Sequence, residues 1–342
     1  MKNRMELFEN APVWKAYFTI SLPVVFSMVV TLVYNMVDTF FVAGTQNASL
    51  VAGVSQCTPL FMLMLALGDI FGLGGSSLIS RLFGQKDDET ARNVSGFCFY
   101  AAIVCGLIVT VLMFAFQGPV LRVLGATSDT LKYASQYYFW IALGAPLIIL
   151  SLTPSNIIRT EGLAMQSMIA SVAGSILNIV LDPIFIFTLG MGAGGAALAT
   201  VLGYVLSDVL LVCYILRKSR HLTVSIRHAR VARKFATSVF VIGIPASLTN
   251  LMQSYNIMVL NRHLISYGPK AVAAMGITMK VNMIIMMILV GFAFGAQPLI
   301  GYAYGAGNRS RLRAVIRFDL LVEVGFSALA AVFIIIFAPQ LI

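Results

Sequence analysis

Apolar runs of more than twenty residues recur along the chain, and they constrain its fold more than any other feature of the sequence. The stretch ISLPVVFSMVVTLVYNMV from Ile20 and the stretch YAAIVCGLIVTVLMFAF from Tyr100 contain no charged residue. A helix needs about 20 apolar residues to cross the hydrocarbon layer of a bilayer. Hydrophobic residues make up 59% of the chain and charged residues 11%, where a soluble domain is roughly half apolar and about a quarter charged. With a mean hydropathy of +0.91, the chain is expected to use lipid as its solvent.

Nine spans are read: Ala16–Ala43, Leu50–Leu82, Val94–Phe116, Leu131–Leu152, Met165–Leu189, Gly194–Leu216, Phe235–His263, Ala271–Tyr304 and Ala314–Ala338. The expectation is an all-α, polytopic membrane helix bundle. The opening MKNRMELFENAPVWKAYF is polar and amphipathic and does not read as a cleavable leader.

Charge sets the orientation. The chain carries a net +10, which in a soluble protein would raise the question of nucleic acid. Here the basic residues sort by loop. Lys2, Arg4 and Lys15, then Arg81, Lys86 and Arg92, then Arg159, the dense linker Arg217–Lys234, and Arg309, Arg311, Arg313 and Arg317 all fall on one side. The other side holds Arg122, Lys132, Arg262 and Lys270. Cytoplasmic loops are the ones enriched in Lys and Arg, so a cytoplasmic N-terminus in a bacterial-type inner membrane is expected. No nucleic-acid partner is implied, although the linker can touch anionic lipid heads. Cys57, Cys98, Cys105 and Cys213 show no metal spacing and read as small core residues.

The chain repeats itself. ISLPVVFSMVVTLVYNMV from Ile20 matches IGIPASLTNLMQSYNIMV from Ile242, placing Pro23 on Pro245 and Tyr34-Asn35 on Tyr255-Asn256. FGLGGSSLISRLFGQKDDETARNV from Phe71 matches FAFGAQPLIGYAYGAGNRSRLRAV from Phe292, placing Gly74 on Gly295, Gly84 on Gly305 and Arg92 on Arg313. Six spans separate the copies, an even number, so both enter the membrane in the same sense, as parallel repeats do in some transporters. Residues 1–216 are expected to form an N-lobe of six spans, 217–234 a basic linker, and 235–342 a C-lobe of three spans. A repeated six-helix unit would give twelve spans, so the sequence is expected to stop short of the last helices.

Pro23, the NMVDTFFVA run around Asp38, GGSSLISRLFGQ, RTEG at Arg159–Gly162, NIVLDPIFIF at Asn178–Phe187 and GAGGAALAT at Gly192–Thr200 occur in an order that resembles the multidrug and toxic compound extrusion (MATE) family. The resemblance implies a two-lobed twelve-helix fold and a central cavity open alternately to either face. It also implies drug export driven by inward proton or sodium flow. Span seven offers Gln253, Asn256 and Asn261 but no acid. That departure resembles the branch of the DNA-damage-inducible protein F type and the staphylococcal multidrug pumps, in which an N-lobe site dominates.

Ionisable residues inside spans cost about 2.5–3.5 kcal/mol each on insertion scales and are functional by default. Asp38 lies deep in span one and Asp182 in span five. Asn178 precedes Asp182 by four residues and shares its helix face. Pro183 frees a backbone carbonyl about one turn earlier, beside the carboxylate, and oxygen is what a hard cation requires. On matching positions the resemblance implies a proton- or sodium-coupling site of Asp38, Asn178, Asp182 and Thr200, with Tyr137 nearby. A structural reading, in which each acid pairs with a neighbouring helix, stands beside it.

Other residues are candidates for a substrate cavity: Asp69, Phe61, Met64, Tyr138, Gln253, Asn256 and Lys280. Methionine suits varied ligands, and 17 are present. Asp208 is either a cavity residue or a partner of the basic linker. The glycine runs GLGGSS and GAGGAALA are expected to let helices approach closely.

The sequence holds no nucleophile–base set, zinc spacing or nucleotide loop in the right context, so an enzyme is not expected, nor a cofactor beyond the coupling ion. Expected partners are small-molecule drugs and membrane lipid, with the protein a monomer. Two rivals remain open. One is a flippase for lipid-linked oligosaccharides, kept alive by Lys280. The other is a non-transporting membrane scaffold.

Overall fold

The structure is a computed structural model that describes residues 3–264 and 269–341, with the side chains of 3–5, 250, 251, 253–258, 261–264, 269–274, 276, 277 and 337–341 outside the description. Among the described residues it contains helices and no strand. In chain order they are α1 (Asn3–Glu9), α2 (Val13–Gly44), α3 (Ala48–Gln56), α4 (Thr58–Gly84), α5 (Asp88–Ala115), α6 (Gln117–Val123), α7 (Leu131–Arg159), α8 (Ala164–Pro183), α9 (Ala193–Lys218), α10 (Arg233–Leu264), α11 (Pro269–Gly305) and α12 (Arg309–Leu341).

Eight segments are long and apolar enough to cross a membrane among the described residues. The remaining expected span, the seventh, corresponds to α10, a helix of 32 residues, several of whose side chains lie outside the description.

Three boundaries differ from the sequence reading for local reasons. The second span is broken at Cys57 into α3 and α4, with Pro59 in the first turn of α4, where its missing N–H costs nothing. The fourth runs on to Arg159 through Pro146 and Pro154, since buried membrane helices tolerate proline when neighbours satisfy the backbone. The fifth ends in a wide π-turn over Ile184–Thr188 directly after Pro183, with the Leu189 amide donating to the Ile184 carbonyl at 2.8 Å. The Asp87 carboxylate accepts from the Thr90 amide at 3.1 Å and starts α5.

The centre of the bundle is α7. Of its most apolar window 78% is buried, against none of the corresponding window of α12. Glycines set the packing distance around it. A β-carbon on Gly68 would lie 2.6 Å from the Ile149 carbonyl oxygen, and one on Gly72 would lie 2.7 Å from that of Leu152. The close approach expected of the glycine runs is therefore present between α4 and α7.

The two repeat copies meet along the end of the bundle that holds the N-terminus. Gly74 of α4 packs on Val239 and Gly243 of α10, and its repeat counterpart Gly295 of α11 packs on Ser21 of α2. Ser21 and Gly243 are themselves counterparts, so the contacts obey a local two-fold relation. Gly84 and Gly305 meet near its axis, at the ends of α4 and α11.

The basic linker is docked rather than free. The Ser95 hydroxyl donates to the Thr223 carbonyl at 2.9 Å, and the Tyr100 hydroxyl to that of Val224 at 2.9 Å. Glu161 accepts from the Ser219 hydroxyl at 2.8 Å and the His221 amide at 3.0 Å.

Candidate functional site

At the end of the bundle away from the N-terminus, α2, α7, α8 and α9 bring together residues distant in sequence. Asp38 comes from α2, Tyr137 from α7, Asn178 and Asp182 from α8, and Thr200 from α9. The spacing that aligns Asn178 with Asp182 is one turn of α8, and both are buried. The helices α8 and α9 cross one turn below Asn178 through two glycines. A β-carbon on Gly174 would lie 2.5 Å from the Gly203 carbonyl oxygen, and one on Gly203 would lie 2.8 Å from that of Gly174. This approach carries the Asn178 amide to within 3.3 Å of the Thr200 hydroxyl, to which it donates. Thr200 donates in turn to the Ala196 carbonyl at 3.0 Å.

The two carboxyl groups, Asp38 and Asp182, face one another, with Tyr137 beside both and Tyr34 beside Asp38 and Thr200. Asp38 Oδ1, Asn178 Oδ1 and both carboxyl oxygens of Asp182 are buried yet make no hydrogen bond of good geometry among the described residues. An unsatisfied buried polar atom costs about 1–3 kcal/mol, more when charged. Oxygens of this kind, on the facing acids and on the residue one turn from Asp182, suit a proton or a small hard cation.

The other candidates divide. Phe61 of α4 stacks obliquely on Tyr204 of α9, with ring centroids 6.1 Å apart, and Tyr204 lies next to Tyr34 and Tyr137. Phe61 is thus near the acid pair. Met64 and Tyr138 are corrected: both are fully buried in the main hydrophobic core, and the Tyr138 hydroxyl donates to the Met113 carbonyl at 2.6 Å. Tight packing leaves neither a free surface. Lys280 is exposed on α11. Gln253 and Asn256 belong to α10, but their side chains lie outside the described residues.

Asp69, a candidate for the substrate cavity, is buried beside Arg159. Asp208 does not pair with the linker. Among the described residues, both of its carboxyl oxygens are buried without a hydrogen-bond partner, because it faces inward on α9 one turn from Tyr204.

Sequence reasoning passed over two residues. Arg159 is buried, and its guanidinium donates to Ser167 at 3.1 Å, Ser155 at 3.2 Å and Asn156 at 3.3 Å. The signal was the density of small polar residues in TPSNIIRT. Tyr34 sits one turn before Asp38 on α2, and only the four-residue spacing pointed to it.

The comparisons with known proteins agree on one group. The MatE family profile matches residues 23–184 and 245–342, two segments that begin at the repeat-related prolines Pro23 and Pro245. Multidrug export protein MepA of Staphylococcus aureus (strain NCTC 8325 / PS 47) is 33% identical over 318 residues, covering 93% of this chain and 70% of that protein. MepA of Staphylococcus haemolyticus (strain JCSC1435) is 32% identical over 310 residues, covering 91% of this chain and 68% of that one. Among solved structures, an outward-facing multidrug resistance MATE family transporter of the MOP superfamily superposes with a TM-score of 0.91 at 31% identity, over 99% of this chain and 75% of that one. A MOP superfamily transporter from Pyrococcus furiosus, described as having a binding pocket of reversed polarity, superposes with a TM-score of 0.91 at 30% identity, again over 99% and 75%.

Proposed function

Since the chain belongs to the MatE family of multi-pass membrane transporters, we propose that it exports amphipathic, cationic drugs in exchange for protons or sodium ions. The observation that carries this reading is the facing pair Asp38 and Asp182, buried with Asn178 and Thr200 around oxygens that make no hydrogen bond of good geometry among the described residues. Loading a proton or sodium ion removes one unit of negative charge from the pair. When empty, its negative charge favours a cationic drug over a neutral one. Binding of one species therefore weakens the other, which is the differential affinity that exchange requires.

Alternating access follows in this reading from the repeat. The copies are held together at the N-terminal end through Gly74, Gly84, Gly295 and Gly305, while the acid pair lies toward the opposite end. That is the arrangement of a state open to the outside, and the match to a structure described as outward-facing supports it. The excess of Lys and Arg at the N-terminal end supports a cytoplasmic N-terminus in an inner membrane. An ion moving through 100 mV supplies about 2.3 kcal/mol, enough for a drug gradient on the order of fortyfold at about 1.4 kcal/mol per tenfold.

The test is ethidium transport by the protein in energised inverted vesicles, under a proton gradient and a sodium gradient imposed separately. Accumulation under one gradient and not the other identifies the coupling ion. Absence of accumulation under both, with the protein present in the membrane, contradicts the proposal.

A further inference from the structure

The two-fold relation between the repeat copies makes one local difference conspicuous. In the second copy, the Tyr302 hydroxyl donates to the Glu9 carboxylate at 2.7 Å, and Lys86 pairs with the same carboxylate. A short helix preceding the first copy thus supplies the acid at that corner of the seam. In the register that pairs Gly84 with Gly305, the residue matching Tyr302 is Arg81. Among the described residues, the lining of its corner includes no such acid. Arg81, Gln85, Lys234, Phe235, Ser238 and Tyr304 line an open pocket there, with leucines of α4 forming its apolar wall.

Both cations in the pocket are spare. The Arg81 guanidinium lies over the Tyr304 ring, 5.1 Å from its centroid, and the Lys234 ammonium lies over the Phe235 ring at 4.6 Å. Among the described residues, neither forms an ion pair with a carboxylate. Arg81 is in the last turn of α4 and Lys234 in the first turn of α10, so both stand at the same membrane boundary. The amino-terminal end of α10 adds further preference for negative charge. A guanidinium and an ammonium converging from two helices suit a phosphate group. The adjoining apolar wall at the membrane boundary suits a phosphate that carries acyl chains.

We propose that this pocket binds the headgroup of an anionic phospholipid. The phosphate bridges Arg81 of the first copy and Lys234 of the second, doing at this corner what Glu9 does at the other. Because the pocket is shared by α4, α10 and α11, an occupied site ties the copies together and stabilises the form in which they meet.

The test is thermal unfolding of the purified protein in mixed micelles of detergent with phosphatidylglycerol, with phosphatidylcholine, or with added inorganic phosphate. Phosphatidylglycerol is expected to raise Tm above the phosphatidylcholine value. Arg81→Gln and Lys234→Gln, singly and together, are expected to remove at least half of that difference while leaving the phosphatidylcholine value unchanged. Arg81→Lys, which keeps the charge, retains most of it, and Lys132→Gln at the opposite membrane boundary retains all of it. Equal shifts from the two lipids, or a full phosphatidylglycerol shift in the double variant, would overturn the proposal. A shift produced equally by millimolar inorganic phosphate would overturn the lipid assignment.

Discussion

Gly84 at the end of α4 lies against Gly305 at the end of α11, its own counterpart in the repeat, so closely that a β-carbon on Gly84 would come within 2.9 Å of the Gly305 carbonyl carbon and 2.6 Å of the Ala306 amide nitrogen. The atoms in the way are backbone and cannot rotate aside. Gly84→Val is therefore expected to force α4 and α11 apart. Overpacking of this kind costs about 1–3 kcal/mol. The form in which the copies meet at the N-terminal end should be depopulated, which is measured as faster labelling of a cysteine introduced at Ser77 by a water-soluble maleimide. Labelling at the wild-type rate would show that the seam does not depend on this contact.

Arg159 is the most heavily committed cation of the described residues, buried among Ser155, Asn156 and Ser167 with Asp69 alongside. Removing one member of a buried charged network leaves the others uncompensated, at about 3–5 kcal/mol. Arg159→Ala is expected to lower the unfolding temperature sharply and reduce the amount of folded protein extracted from membranes. Asp69→Asn, which keeps shape and hydrogen bonding, should cost less. Fluorescence-detected size exclusion after heating compares the two, and equal stability of Arg159→Ala and wild type would contradict the assignment.

Glu9 gives a pH dependence whose sign can be worked out. Its carboxyl is held below the ordinary value of 4.5 chiefly by the Lys86 ammonium and then by the Tyr302 hydroxyl. A depressed acid contributes stability that is present above its unfolded pKa and lost as pH falls through the lower folded value. Glu9→Gln should thus lower Tm at pH 6, and the difference from wild type should shrink as pH falls below 4.5 and vanish once it passes the lower folded value. The pair is largely solvent-exposed, so the effect should stay under about 1 kcal/mol. A difference that persists unchanged at pH 3 would assign it to packing of α1 instead of charge.

Much of this was legible in the sequence, and the reason is lipid. Hydropathy alone located the spans because backbone polar groups in hydrocarbon leave helices as the economical solution. The alignment of Gly74 with Gly295 and Gly84 with Gly305 is visible in the letters. That these residues touch is not, since a repeat says nothing about where its axis runs. Asp38 and Asp182 stood out because an acid among leucines is costly. Their partners in the site come from helices packed at glycine crossings, and no spacing reports that Gly174 meets Gly203. Met64 and Tyr138 went the wrong way for a related reason. A core side chain and a cavity side chain have the same composition, and only packing separates them. The break at Cys57 and the extension of α7 past Pro154 were hidden because proline marks an end in one place and a tolerated interior position in the other.

The central claim is that the facing acids couple ion to drug, and the direct measurement is ethidium transport by wild type and Asp38→Asn in the same vesicles, taken in two modes. One mode is uphill accumulation driven by the coupling gradient. The other is exchange of labelled for unlabelled drug with no gradient. Asp38→Asn keeps nearly the same shape but cannot release a proton or hold a sodium ion as a carboxylate does. Uphill accumulation is expected to fall at least tenfold while exchange persists, and Asp182→Asn should behave in the same way. Uphill accumulation at the wild-type rate in both variants would contradict the account and place the coupling elsewhere in the protein.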